Sequence, residues 1–81
     1  MDKKEIQASI RNIIVERLEI KPETIKLESK LREDLGIDSF GEVELLFEIK
    51  DKFGVLIPEQ DLKTLTSIKD FVDYIFSKKE S

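Results

Sequence analysis

Residues 33–54, EDLGIDSFGEVELLFEIKDKFG, carry the spacing that decides how the chain folds. Placed on a helix at about 100° per residue from residue 40, Val43, Leu45, Leu46, Ile49 and Phe53 share one broad apolar face, the natural core face. Gly41, Glu44, Glu48, Asp51 and Lys52 fall opposite. This predicts a helix from about Ser39 to Phe53, closed by Gly54 as a C-cap. Phe40 and Phe47 stack along the axis beside Asp51 and Glu44, away from the middle of the core arc. Two readings fit them: a widened buried face under a packed loop, or an apolar stripe bordered by carboxylates on which a partner docks.

Working outward, Ile6, Ile10, Ile13, Ile14 and Leu18 fall on one face of a helix running roughly from Asp2 to Leu18, with Asp2 and Glu5 placed to cap its start. Residues 19–38 contain Pro22 and Gly36 and a sparser apolar set, Ile20, Ile25, Leu27, Leu31 and Leu35. They predict a long ordered loop pinned to the core at intervals, and a loop of that length in a small domain usually has a role. IPEQDL, residues 57–62, reads as a short helix entered through Pro58. Ile68, Phe71, Val72, Ile75 and Phe76 predict a last helix, capped by Thr66 or Ser67, whose dipole is complemented by Lys78 and Lys79. The expected fold is all-α: a four-helix bundle with three longer helices, one short helix and a long first loop. Nothing reads as a strand.

At 81 residues the chain is expected to be one domain, 1–81, since a chain this short buries only about 60% of its unfolded surface. It has no cysteine and no histidine. Thiol nucleophiles, thiolate metal sites and the commonest general base are therefore absent, and autonomous catalysis is not expected. No apolar run exceeds a triplet such as IIV or LLF, so neither a leader nor membrane insertion is expected, and the reading is a soluble, cytoplasmic monomer. Between Glu33 and Asp61 nine acidic residues face only Lys50 and Lys52. Such a patch repels nucleic acid and suits a partner with a basic surface, although charge of this kind also simply keeps a globule soluble. The acids lack the alternating ligand order of a calcium loop, and no metal site is expected.

Ser39 stands where the loop becomes the central helix. A serine there is most simply an N-cap. A helix start also tolerates an anionic phosphoester on an exposed hydroxyl, because its N–H groups and dipole favour negative charge.

With those residues in view, LGIDSFGEVELLFEIKDKFGVLIPEQDL resembles the acyl carrier proteins and their peptidyl and D-alanyl relatives. The match runs through Leu35, Gly36, Asp38, Ser39 and Phe40, continues at Val43, Glu44 and Leu45, reaches Phe53, Gly54, Ile57 and Pro58, and ends in DFVDYI, so it covers essentially the whole chain. The resemblance implies a 4′-phosphopantetheine arm esterified to Ser39, next to Asp38, by a separate magnesium-dependent phosphopantetheinyl transferase. The arm ends in a thiol, which fits a cysteine-free chain that carries acyl thioesters between enzymes and catalyses nothing itself. It further implies docking on basic patches of acyl-transferring and acyl-modifying enzymes through Phe40, Val43, Glu44, Phe47, Glu48 and Asp51. An acyl cavity lined by Leu46, Ile49, Ile57, Leu65 and Phe71 is implied as well.

Three departures from fatty-acid carriers stand out. Gly41 replaces an acidic residue at about 1 kcal/mol of helix propensity relative to alanine, Lys50 and Lys52 replace acidic ones, and Phe71 stands where a small residue is common and would shorten the cavity. Fatty-acid biosynthesis is the leading expectation. A dedicated carrier of an aminoacyl, polyketide or other specialised group, or an unmodified carrier-like interaction domain, are the alternatives.

Overall fold

The structure, a computed structural model, describes residues 2–80. Helix α1, Lys3–Leu18, begins with a reciprocal capping box: Glu5 N donates to Asp2 Oδ1 at 2.9 Å, and Asp2 N donates to Glu5 Oε1 at 3.3 Å. Two of the N–H groups that every helix start leaves without partners are thereby satisfied. Its isoleucines, Ile6, Ile10, Ile13 and Ile14, are all buried, and the helix packs against α2, Ser39–Phe53, and α4, Ile68–Glu80. The short α3, Glu59–Leu62, follows Pro58 directly. Among the described residues there is no strand, only an isolated antiparallel bridge between Lys30 and Ser67. No described helix is long and apolar enough to cross a membrane. The all-α bundle expected from the spacing is the fold observed.

Helix α2 ends as expected at Gly54, whose φ of 69° is the left-handed conformation glycine adopts without penalty. Lys79 of α4 reaches back to donate to the Phe53 carbonyl at 3.1 Å, satisfying one of the last carbonyls with a positive charge. At the start of α4 the cap is Ser67, whose Oγ accepts from Asp70 N at 3.2 Å, while Asp70 accepts from the N–H groups of Thr66 and Ser67 at 3.0 and 3.2 Å.

The buried face of α2 is rotated from the one expected. Gly41, Leu45, Ile49 and Phe53 are buried, spaced four apart, while Val43 is 66% exposed. Gly41 accordingly lies inward, where a Cβ would come within 2.7 Å of Ile37 Cγ2 and 3.5 Å of Leu18. The physical reason is that a glycine supplies no apolar signal, so a helical wheel weighted by side chains drifts toward Val43. The helix instead turns its bare backbone toward Leu18 of α1 and Ile37 of the loop.

The long first loop contains a single 3-10 turn, Pro22–Thr24, and is tied to α4 by backbone bonds. Leu31 N donates to Thr66 O, Ile68 N to Ser29 O and Lys69 N to Leu27 O, at 2.8–3.0 Å. Ile25, Leu31 and also Ile37 are buried, and Ile20 and Leu35 pack partly against the core. Leu27, expected to pin the loop, is instead 36% exposed; its carbonyl rather than its side chain makes the attachment.

Candidate functional site

Residues 30–37 close on themselves just before α2. Asp34 N and Leu35 N donate to Lys30 O, Gly36 N donates to Arg32 O and Ile37 N to Leu31 O, with Gly36 at a φ of 68° making the turn. Lys30 N also donates to Asp34 Oδ2 at 2.8 Å. This knot, anchored by buried Leu31 and Ile37, fixes where Asp38 and Ser39 emerge.

The N-cap of α2 is Asp38, not Ser39: the Asp38 carboxylate accepts from Gly41 N at 3.0 Å. An ionised carboxylate complements the positive end of the helix better than a neutral hydroxyl does. Ser39, the first helical residue, is exposed and has its hydroxyl outside the capping bonds. The side chain that does meet it is Arg32, whose Nη2 donates to Ser39 Oγ at 3.3 Å. The same guanidinium grips Glu42 as a fork, Nε to Oε2 and Nη2 to Oε1, both at 3.0 Å. Sequence reading does not find this Arg32–Ser39–Glu42 cluster, since it joins a loop to a helix across ten positions. The available signal is that Arg32 is the last basic residue before Lys50 in an acidic stretch.

Along α2 from Ser39, Phe40 (87% exposed), Val43 and Phe47 (69% exposed) form a continuous outward stripe. Glu44 and Asp51, both exposed, share the outward part of the helix with it. Glu48, expected beside them, is half-buried and turned toward α1, where it pairs with Arg17 at 3.5 Å. The residues expected to form an acyl cavity are spread through the interior. Ile49 and Phe71 are fully buried members of the core, whereas Leu46, Ile57 and Leu65 are half-buried against it.

A groove of about 410 Å³ opens between the loop knot and α3, with Leu31, Leu62 and Leu65 on its floor and Arg32, Glu42 and Lys63 among its rim. Of the five cavity residues expected, Leu65 borders it. The far side of α3 is fastened to α4 by Tyr74, which donates to Asp61 Oδ2 at 2.6 Å. That bond holds the neutral phenol, and together with burial and the Asp61 charge it pushes the Tyr74 pKa from 10.0 up to about 12.

Fold and site together give a small helical bundle with an exposed serine hydroxyl, outside the helix capping bonds, at the head of an exposed apolar and acidic helix face. Comparison with known proteins gives the family. The family model described as phosphopantetheine attachment site matches residues 8–75. The chain is 44% identical over 71 residues to an acyl carrier protein of Campylobacter hominis, covering 88% of this chain and 90% of that one. It is 47% identical over 66 residues to the acyl carrier protein of Campylobacter concisus, covering 82% and 86%. A third, from Chloroherpeton thalassium, is 38% identical over 76 residues, covering 94% and 95%. The chain belongs to the acyl carrier protein family, whose members bear a covalently attached 4′-phosphopantetheine.

Proposed function

We propose that Ser39 bears the phosphopantetheine and that the protein shuttles acyl groups between the enzymes of fatty-acid biosynthesis in the cytoplasm, as a monomer without catalytic activity of its own. The observation that carries this reading is the division of labour at the head of α2. Asp38 caps the helix, so the exposed Ser39 hydroxyl is left for esterification without removing a helix bond. The residues present fit the group: an exposed attachment oxygen, a cation 3.3 Å away, and solvent on the side where an arm would leave.

In the loading step Ser39 Oγ attacks the pantetheine-side phosphorus of coenzyme A. The Oγ–P bond forms, the P–O bond to the departing adenosine bisphosphate breaks with its electron pair leaving on that oxygen, and the hydroxyl proton passes to a base of the transferase. Once attached, the arm supplies the terminal thiol on which acyl groups are held as thioesters, a sulfur this cysteine-free chain does not encode.

Partner recognition follows from the stripe. Phe40, Val43 and Phe47 offer apolar anchor area, and Glu44 and Asp51 offer charge that attracts basic patches on the transferase and on acyl-handling enzymes. Glu48 contributes less, since Arg17 already neutralises it.

The test is intact-protein mass spectrometry after incubation with coenzyme A, magnesium and a broad-specificity phosphopantetheinyl transferase. Wild type should gain one phosphopantetheine and Ser39→Ala none. A folded wild type that gains nothing would overturn the assignment.

A further inference from the structure

Resting on the assignment of Ser39 as the attachment residue, we propose that Arg32 is a positioning residue for the phosphodiester formed there. One edge of its guanidinium would hold a phosphate oxygen while Glu42 keeps the other edge in place. The geometry for this is already present before loading. A guanidinium carries five N–H donors in a rigid fork. Arg32 commits Nε and one Nη2 hydrogen to the two oxygens of Glu42, and the second Nη2 hydrogen points at Ser39 Oγ. A phosphate oxygen two bonds beyond Oγ, on the phosphorus that Oγ carries, comes within reach of that same edge, Nη1 included, with no need to release Glu42.

The chemistry gives the contact its purpose. A 3.3 Å bond from an exposed arginine to a neutral hydroxyl is long and weak, whereas the same donor facing a phosphodiester meets a full negative charge and can form the short, bidentate contact that arginine makes with phosphate. The diester adds a full negative charge between the carboxylates of Asp38 and Glu42, both within three residues of Ser39. Asp38 has turned its carboxylate to Gly41 N, and Glu42 is neutralised by the fork, so Arg32 is the basic side chain set against the new charge. Glu42 also fixes the arginine rotamer in advance, so little side-chain freedom remains to be lost when the phosphate arrives. Because Arg32 borders the groove between the loop and α3, a phosphodiester held by it roots the arm at the groove's edge rather than in open solvent.

The experiment is 31P NMR of the full-length loaded protein as wild type, Arg32→Gln, Arg32→Lys, Glu42→Gln and, as control, Arg17→Gln, each checked for complete loading by mass and for fold by circular dichroism. Arg32→Gln should move the 31P resonance by more than its linewidth and sharpen it as the diester becomes mobile. Arg32→Lys should fall between, Glu42→Gln should move it less in the same direction, and Arg17→Gln should leave it in place. Raising salt to about 1 M, where screening acts within about 3 Å, should carry wild type toward Arg32→Gln. The chain has three arginines, Arg11, Arg17 and Arg32, so the Arg32 Nε–H signal is assigned by its loss in Arg32→Gln and should shift on loading. Superimposed 31P spectra for fully loaded wild type and Arg32→Gln would overturn the role of Arg32 while leaving Ser39 as the attachment residue. A folded wild type that never loads would overturn both.

Discussion

Tyr74 and Asp61 meet at 2.6 Å, a bond that ties the four-residue helix α3 to α4 across thirteen positions of sequence. With one turn of its own, α3 has little intrinsic stability, so its placement depends on such links. Tyr74→Phe keeps the ring and deletes the bond, and should cost about 1 kcal/mol in urea unfolding at neutral pH. The sign with pH is set by the raised phenol pKa. The contribution is complete below 10.0 and is lost as pH rises through about 12, so the gap between wild type and Tyr74→Phe should close over that range. A gap constant across it would show that the phenol proton is not what holds α3.

The acid limb should involve Asp70. Its carboxyl is held below the usual 3.8 first by the hydrogen bond from the Thr66 backbone; burial, the next largest effect, opposes this, and the Ser67 backbone and the Thr66 and Ser67 hydroxyls add to the lowering. A lowered carboxylate pKa contributes stability that is present above 3.8 and lost as pH falls through the folded value. Asp70→Asn should therefore be less stable by about 1 kcal/mol at neutral pH and should converge with wild type in acid, followed by denaturant midpoints across the acid range.

Position 41 should resist every side chain. Alanine there would gain up to about 1 kcal/mol of helix propensity, yet its Cβ would sit 2.7 Å from Ile37 Cγ2. Overpacking at a buried contact typically costs about 1–3 kcal/mol, so Gly41→Ala should be net destabilising by about 1 kcal/mol, and Gly41→Asp by more because it also buries a carboxylate. Chemical denaturation decides this, and a stabilised Gly41→Ala would mean that the Ile37 side chain moves aside freely.

The exposed stripe gives the opposite pattern. Phe40→Ala, Phe47→Ala and the reversals Glu44→Lys and Asp51→Lys should leave stability within about 0.5 kcal/mol. They should slow loading by the transferase, the charge reversals roughly tenfold at low salt and less at high salt because such charges act on encounter. Glu48→Gln should have little effect on loading. Unchanged loading rates for both reversals would remove the acidic face from the account of recognition.

Helix positions are legible in this sequence because each end carries its own chemistry: the Asp2–Glu5 box, Gly54, Pro58 and the Ser67–Asp70 pair act locally, within four residues. What is not legible is the direction of side chains where no period constrains them. In the loop, Ile25 and Leu31 are buried as their apolar character suggests, but Leu27 is not, and Ile37 is recruited to cover Gly41. The same holds for the site. The stripe of Phe40 and Phe47 follows from helical spacing, whereas the capping role of Asp38 and the reach of Arg32 to Ser39 depend on how the loop knot is tied.

The contact of Gly41 with Ile37 and Leu18 also limits how this helix face can change under selection. A docking surface is ordinarily retuned by trading exposed charges one residue at a time, with the interior indifferent to the choice. Here the second residue after Ser39 belongs to the interior, so that route is closed unless Ile37 or Leu18 changes with it. Retuning at this end of the helix is left to Glu42 and Glu44, and of these Glu42 is already bound to Arg32. A change of partner enzymes would therefore be written first at Glu44 and along the Phe40–Val43–Phe47 line, where substitution leaves the packing undisturbed.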